Sequence, residues 1–271
     1  MIRVAVLHGY GFNCQEETAA GYQLAGAAPT VVYATDWFAG RTSLREFDLL
    51  HVPGGFTFGD DLGSGQVFAN QLKHAKLPSG EPIWQQIVDL LRRGGHIVGV
   101  CNGFQILVRA GLLPNLSGQF AQEVSLAPNG SGKFEDRWVR CRPRGRGTAW
   151  FGDGVLELPV RHGEGRLVFG SAAIADEVDR RGLLALQYAG RSTRAGYPAN
   201  PNGAQRDAAG LFSADGQVFG LMPHPEAFLS PYNHPAWPQR MRSGAAQPDG
   251  IADGLHMLQA IVARCEGELH G

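Results

Sequence analysis

The chain is short of cysteine, of net charge and of long apolar runs, and each shortage closes off a class of function. Four cysteines occur, at positions 14, 101, 141 and 265. That spacing holds no Cys-x-x-Cys pair for a metal or redox couple and no legible disulfide framework, so a reducing compartment is expected. Lys plus Arg number 24 against 25 Asp plus Glu, a formal net charge of −1. Such a balance makes no electrostatic case for a nucleic-acid or membrane partner. No apolar run is long enough to span a bilayer, and MIRVAVLHGY enters a strand directly, without the regions of a signal peptide. A soluble, cytoplasmic protein is the expectation. No Walker A sequence occurs, and Gly9-Tyr10-Gly11 is followed by Cys14 where a dinucleotide fingerprint needs its third glycine. HGEG at 162–165 lacks the helical His-Glu-x-x-His spacing, so no metal site is expected either.

What is present alternates. Ile2 to Leu7, Thr30 to Ala34 and Asp48 to Val52 read as short core strands, with Gln15 to Ala25 and Ile83 to Arg92 as helices between or after them. Alternation of this kind predicts an α/β fold with a doubly wound, mostly parallel sheet between helices. From Gln119 the pattern turns to extended stretches, at Gln119 to Leu126, Lys133 to Cys141 and Val155 to Val160, which predict an antiparallel section added to one side. Asp249 to Cys265 closes the chain as a helix whose apolar face carries Ile251, Leu255, Leu258 and Val262. The 271 residues show no repeat and no dividing linker, so a single domain over 1–271 is expected. Arg140, Arg142, Arg144 and Arg146 alternate with other residues and read as a solvated basic hairpin.

The stretch GVCNGFQIL at 99–107 carries the chemistry. His96 to Val100 is a short apolar strand, Asn102 to Ala110 a helix, and Cys101 stands between them with Gly99 and Gly103 at minus and plus two. That is the spacing of a nucleophile elbow, with sulfur in place of the serine oxygen. The helix N-terminus favours thiolate and turns free N–H groups toward a developing oxyanion. An inert buried cysteine is the competing reading. A base is available in GLMPHPEAF at 220–228, after a strand over Gln217 to Met222. Two prolines push Met222 and His224 out of the helical region. The segment is then extended, and His224 and Glu226 share a face. The carboxylate can hold one imidazole nitrogen while the other addresses Cys101; a proline-rich surface turn is the alternative. Pro53-Gly54-Gly55, at the end of the third strand, suits an oxyanion donor.

A cysteine elbow followed far downstream by His-Pro-Glu resembles the class I, or triad, glutamine amidotransferases. Within that family, GFNCQEET, VPGGFTFGDDLGSG, GSGKFEDRW, RHGEGR, NPNGAQRDAAG and MPHPE follow in the order found in glutaminase subunits of phosphoribosylformylglycinamidine synthase. The resemblance implies a flavodoxin-like fold and a Cys101, His224, Glu226 triad. It implies an oxyanion hole from the Gly55 and Asn102 N–H groups, and Gln105 as a residue that helps hold substrate. L-glutamine is then the substrate, and a large synthetase subunit, with a small accessory subunit, the partner. No cofactor is implied on this chain; ATP and Mg are used by the synthetase. Glutaminases serving GMP, CTP or anthranilate synthesis, and a non-catalytic binding subunit on the same scaffold, remain as alternatives. Ala227 and Gly63 stand where the family commonly carries arginine, and extra residues fall around Arg142 to Gly154 and beyond Phe228.

Overall fold

The computed structural model describes residues 1–59, 61–190 and 196–270, so Asp60 of the VPGGFTFGDDLGSG stretch at 52–65 lies outside the described residues. β1 (Arg3–His8), β2 (Ala28–Tyr33), β3 (Leu49–Val52) and β4 (His96–Val100) are short strands, and β3 and β4 are buried at every position. Covered on both faces, β3 and β4 read as mainly apolar runs, each with one buried histidine, His51 and His96, rather than as alternating ones. Later come β5 (Val124–Ala127), β6 (Glu135–Pro143), β7 (Leu156–His162), β8 (Arg166–Phe169), β9 (Leu184–Ala189), β10 (Ala208–Phe212) and β11 (Val218–Leu221). Among the described residues the main sheet runs β2-β1-β3-β4-β11-β10-β9-β6-β7.

The first five of those strands are parallel neighbours, and their order is the flavodoxin-like one. From β11 onward each pairing is antiparallel, which is the added section expected at one side. Helices α1 (Gln15–Leu24), α2 (Ala34–Phe38), α3 (Gln66–His74), α4 (Ile83–Arg92) and α5 (Asn102–Arg109) belong to the parallel half. In α4, Ile83, Ile87, Leu90 and Leu91 fall on one stripe and are buried. Further on lie α6 (Arg146–Phe151), α7 (Ala172–Arg180), α8 (Trp237–Arg242) and α9 (Asp253–His270).

Three expectations are corrected. Of Gln119 to Leu126 only the end is a strand; β5 starts at Val124 and pairs with β8 in a separate two-stranded sheet. The basic run is not a plain hairpin. Arg140 and Arg142 do point outward from β6, where Val139, Cys141 and Pro143 are buried between them, but Arg146 opens α6 in the connection to β7. The last helix begins at Asp253, leaving Ile251 outside it and 62% exposed. Its buried face is Met257, Leu258, Ile261, Val262 and Cys265. Tertiary packing selects this face because Gly254 presses on the Pro225 and Phe228 carbonyls, where a Cβ would come within 2.0 and 2.5 Å.

Candidate active site

Four strand ends meet on one edge of the sheet: Cys14 follows β1, Gly54 and Gly55 follow β3, Cys101 follows β4, and His224 follows β11. The C-terminal edge of a parallel sheet is where loops free of the ladder can converge on a ligand. Cys101 is the N-cap of α5 with φ 52 and ψ −105, a backbone conformation costly for a residue with a side chain. What holds it there is the sheet before it and the helix after it. Its N–H continues the β4–β11 ladder to the Leu221 carbonyl at 2.8 Å, and its carbonyl accepts from Gln105 N at 3.1 Å. Both flanking glycines are needed: a Cβ on Gly99 would lie 2.7 Å from the Gly103 carbonyl carbon, and one on Gly103 would lie 1.8 Å from the Val52 oxygen. The elbow spacing is therefore a packing requirement between β4, β3 and α5.

His224 Nδ1 lies 2.5 Å from Glu226 Oε1, and both side chains are buried. The pair meets in a way the sequence pattern did not anticipate. Only His224 is extended; Pro225–Ala227 is a 3-10 turn, closed by bonds from Ala227 N to His224 O and from Phe228 N to Pro225 O. Proline's fixed φ suits the first position of such a turn, so the local chemistry allowed helix as well as strand. The turn is gripped from outside by His224 N bonding to Pro159 O at 2.9 Å and by Leu255 N of α9 bonding to Phe228 O.

Burial works against the imidazolium, but the Glu226 carboxylate and the Cys101 sulfur outweigh it and hold the His224 pKa well above its ordinary value. Burial likewise opposes the Glu226 anion, and His224 overcomes it, leaving that carboxyl below its usual range. The pair rests as imidazolium and carboxylate. Cys101 is 5% exposed, and its Sγ donates toward the Arg161 carbonyl at 3.6 Å. His224 Nε2 has no hydrogen-bond partner among the described residues.

Gly55 has φ 149, and a Cβ there would lie 2.3 Å from the Gly11 oxygen. The bridge between Phe12 and Gly55 is closed by Phe56 N to Gly11 O and Asn13 N to Gly54 O, which leaves the Gly55 N–H outside it. Asn102 heads α5, where the backbone N–H has no partner within the helix. The Asn102 side chain is fully buried and ties the two candidate donors together. Its Oδ1 accepts from Thr57 N and Oγ1, at 3.2 and 2.8 Å, and its Nδ2 donates to Gln105 Oε1 at 2.9 Å. Gln105 Nε2 then donates to the Glu164 carbonyl at 2.6 Å, so the helix start is pinned to both the 53–58 loop and the 161–165 loop.

The distant sequence blocks build the second of those loops. Asn129 Nδ2 donates to the His162 carbonyl at 2.8 Å, its Oδ1 accepts from Gly165 N at 3.1 Å, and Asn202 Nδ2 donates to the Gly165 carbonyl at 2.7 Å. Burial lowers the His162 pKa to about 4. Of these two asparagines the sequence blocks held only Asn202; Asn129 sits one residue before GSGKFEDRW, and neither gave a sign that it would hold the loop that follows the Arg161 carbonyl, which faces the Cys101 sulfur. Arginine is absent at residue 63, yet a guanidinium is there. A Cβ on Gly63 would lie 2.7 Å from Arg109 Nη2, and Arg109 donates to Ser64 O and Gln66 Oε1 and lies 3.9 Å from Glu164. Sequence reasoning also passed over Cys14, although its place after a glycine-rich turn at the end of β1 was a signal.

A doubly wound sheet with a cysteine on an elbow, beside a histidine held by a glutamate, defines the class of cysteine-dependent amidotransferases. Comparison with known proteins gives the family. Residues 1–262 match the family model described as a CobB/CobQ-like glutamine amidotransferase domain, and the chain belongs to that family. It is 38% identical over 239 residues to the phosphoribosylformylglycinamidine synthase subunit PurQ of Dehalococcoides mccartyi, covering 88% of this chain and 89% of that one. It is 33% identical over 269 residues to the subunit of the same name from Methanococcus maripaludis, covering 96% of each. Among solved structures, PurLQS from Thermotoga maritima aligns with a TM-score of 0.70 and 28% identity over 97% of this chain and 99% of that one. The glutaminase domain of Trypanosoma brucei CTPS, at 14% identity and a TM-score of 0.54 over 97% of this chain and 94% of that one, shares the fold. Among the described residues no helix is long and apolar enough to cross a membrane.

Proposed function

We propose that Cys101, His224 and Glu226 hydrolyse L-glutamine to glutamate and ammonia, as the glutaminase subunit of phosphoribosylformylglycinamidine synthase. The observation that carries this reading is the strained Cys101 on its elbow at the same strand edge as the buried His224–Glu226 pair. Cys101 releases its thiol proton to solvent and, as the thiolate beside the His224 imidazolium, attacks the carboxamide carbon; the charge that builds on oxygen is met by the Gly55 and Asn102 N–H groups. As the C–N bond breaks, His224 gives its proton to the leaving nitrogen, and ammonia departs from a glutamyl thioester. His224 then takes a proton from water, the resulting hydroxide attacks the thioester, and the sulfur leaves. Glu226 fixes which imidazole nitrogen carries the proton throughout. Gln105, engaged with Asn102 and the Glu164 carbonyl, shapes the wall against which glutamine rests.

Ammonia released here serves a PurL-type synthetase subunit, on which ATP and Mg are consumed; a small accessory subunit completes the assembly, in the cytoplasm. This chain needs no cofactor for hydrolysis. The test mixes the chain with such a synthetase, formylglycinamide ribonucleotide and ATP. Cys101→Ala should abolish glutamine-dependent synthesis and leave ammonia-dependent synthesis intact. Equal loss of both would overturn the reading.

A further inference from the structure

Cys14 takes no part in the reaction above, yet its sulfur shares the site. The donor atoms of Cys14, His224 and Glu226 lie within 4.8 Å of one another. Glu226 is 4% exposed, and while its Oε1 meets His224, its Oε2 has no hydrogen-bond partner among the described residues. A cavity of about 350 Å³ reaches this group from solvent. Its lining includes Cys14, Glu17, Arg161, Glu226 and Ala227, and includes neither His224 nor Cys101. The small Ala227 side chain leaves the cavity open beside the carboxylate. An unpartnered buried carboxylate oxygen and a thiol thus line a cavity that a hydrated ion can enter, with the imidazole within 4.8 Å of both donors.

We propose that Cys14, His224 and Glu226 form a binding site for a thiophilic divalent cation, with Zn²⁺ the ion that fits, and that its occupation switches glutamine hydrolysis off. A sulfur, nitrogen and oxygen donor set is one that Zn²⁺ accepts, and three protein ligands leave the fourth position for a water molecule from the cavity. Donors bound to one zinc ion at about 2.0–2.3 Å lie roughly 3.3–3.7 Å apart, so the site must contract by no more than about 1.5 Å. Binding releases the Cys14 thiol proton and the proton that makes His224 cationic, while Glu226 binds as the anion it already is. With one ring nitrogen on the metal, His224 no longer has both a proton-bearing and a free nitrogen, so it cannot give a proton to the leaving nitrogen and then take one from water. The regulatory half of this proposal rests on the glutaminase reading; the binding half does not.

Co²⁺ added to the full-length chain reports the site directly, through the near-ultraviolet charge-transfer band of a cobalt–thiolate bond and the visible bands of a tetrahedral ion. Wild type and Cys101→Ala should both develop the bands, and Zn²⁺ should displace them. Cys14→Ala and Cys14→Ser, each with a cooperative thermal melt, should not. In the hydrolysis assay Zn²⁺ should inhibit wild type, with recovery on adding EDTA, and at least tenfold more Zn²⁺ should be needed to inhibit the Cys14 variants. No cobalt–thiolate band in wild type overturns the site. A band kept by the Cys14 variants and lost from Cys101→Ala moves the ion to the nucleophile and overturns it too, and equal inhibition of all variants overturns the switch. Absence of hydrolysis in wild type, with the band present, would strike the glutaminase reading alone.

Discussion

A methyl group on Gly103 would lie 1.8 Å from the carbonyl oxygen of Val52, so the helix that begins after Cys101 runs against the end of the neighbouring strand with no room for a side chain. Replacing glycine by alanine inside a helix ordinarily stabilises by about 0.5–1 kcal/mol. Gly103→Ala should do the opposite, lowering stability by about 1–3 kcal/mol in urea melts as α5 is pushed off β3. A neutral or stabilising result would show that the contact can relax.

The hydrogen bond between His224 and Glu226 makes unequal demands on its two partners. His224→Ala removes the proposed proton carrier and should leave almost no glutamine hydrolysis. Glu226→Gln keeps a polar partner for the ring but removes the charge that stabilises the imidazolium, so the rate should fall by about tens- to thousands-fold. Steady-state ammonia release separates the two, and a fully active Glu226→Gln would remove the orienting role.

Asn102 contributes its backbone N–H to the proposed oxyanion hole, while its side chain holds Thr57 and with it the loop after Gly55. Asn102→Ala keeps the N–H and loosens the loop. The expected result is a fall in kcat of about ten- to hundredfold, smaller than the loss of a donor itself, with KM less affected. A change confined to KM would assign the side chain to substrate binding instead.

The Cys101 thiol points at the Arg161 carbonyl, and His224 Nε2 is left without a partner. Hydrolysis by the chain alone should therefore be slow, and should rise at least tenfold when the synthetase with its nucleotide substrates docks and moves the 161–165 loop. Ammonia release with and without the partner measures this. Full rates from the isolated chain would show that the resting geometry is already competent.

Acid should destabilise the fold through two histidines far from any surface. Burial lowers the pKa of His51 and of His162 to about 4. The unfolded chain, with ordinary histidines near 6.5, takes up protons that the folded chain refuses, so stability falls as pH drops through the window from about 6.5 to about 4. By pH 5 each histidine should cost about 2 kcal/mol. Urea melts at pH 7 and pH 5 should show a smaller loss for His162→Gln than for wild type; identical losses would mean that other groups set the acid limit.

Much of this protein was legible in the chain because local chemistry has few outcomes. The apolar run His96–Val100, closed by Gly99, Cys101 and Gly103, admits little other than a buried strand turning sharply into a helix, and β4 and α5 begin where that pattern places them. The alternation over the first hundred residues fixed the parallel half in the same way, since strands buried on both faces must be crossed by helices. The face of α9 was not legible. Ile251 and Leu255 fit an apolar stripe as well as Met257 and Ile261 do, and only the approach of Gly254 to the Glu226 turn selects between them.

Tertiary structure also decided how the site is assembled. Proline before and after His224 excluded helix at that residue but left the next three open, and it is the grip of Pro159 and Leu255 that makes them a 3-10 turn. Residues 14, 101 and 226 have no spacing that a motif could encode, because their meeting depends on the order in which β1, β4 and β11 enter the sheet. The sequence by itself determined which side chains could do chemistry and the sharp turn that presents one of them. Which of them come within reach of one another was decided by the sheet, because strand order is set by long-range packing rather than by local preference.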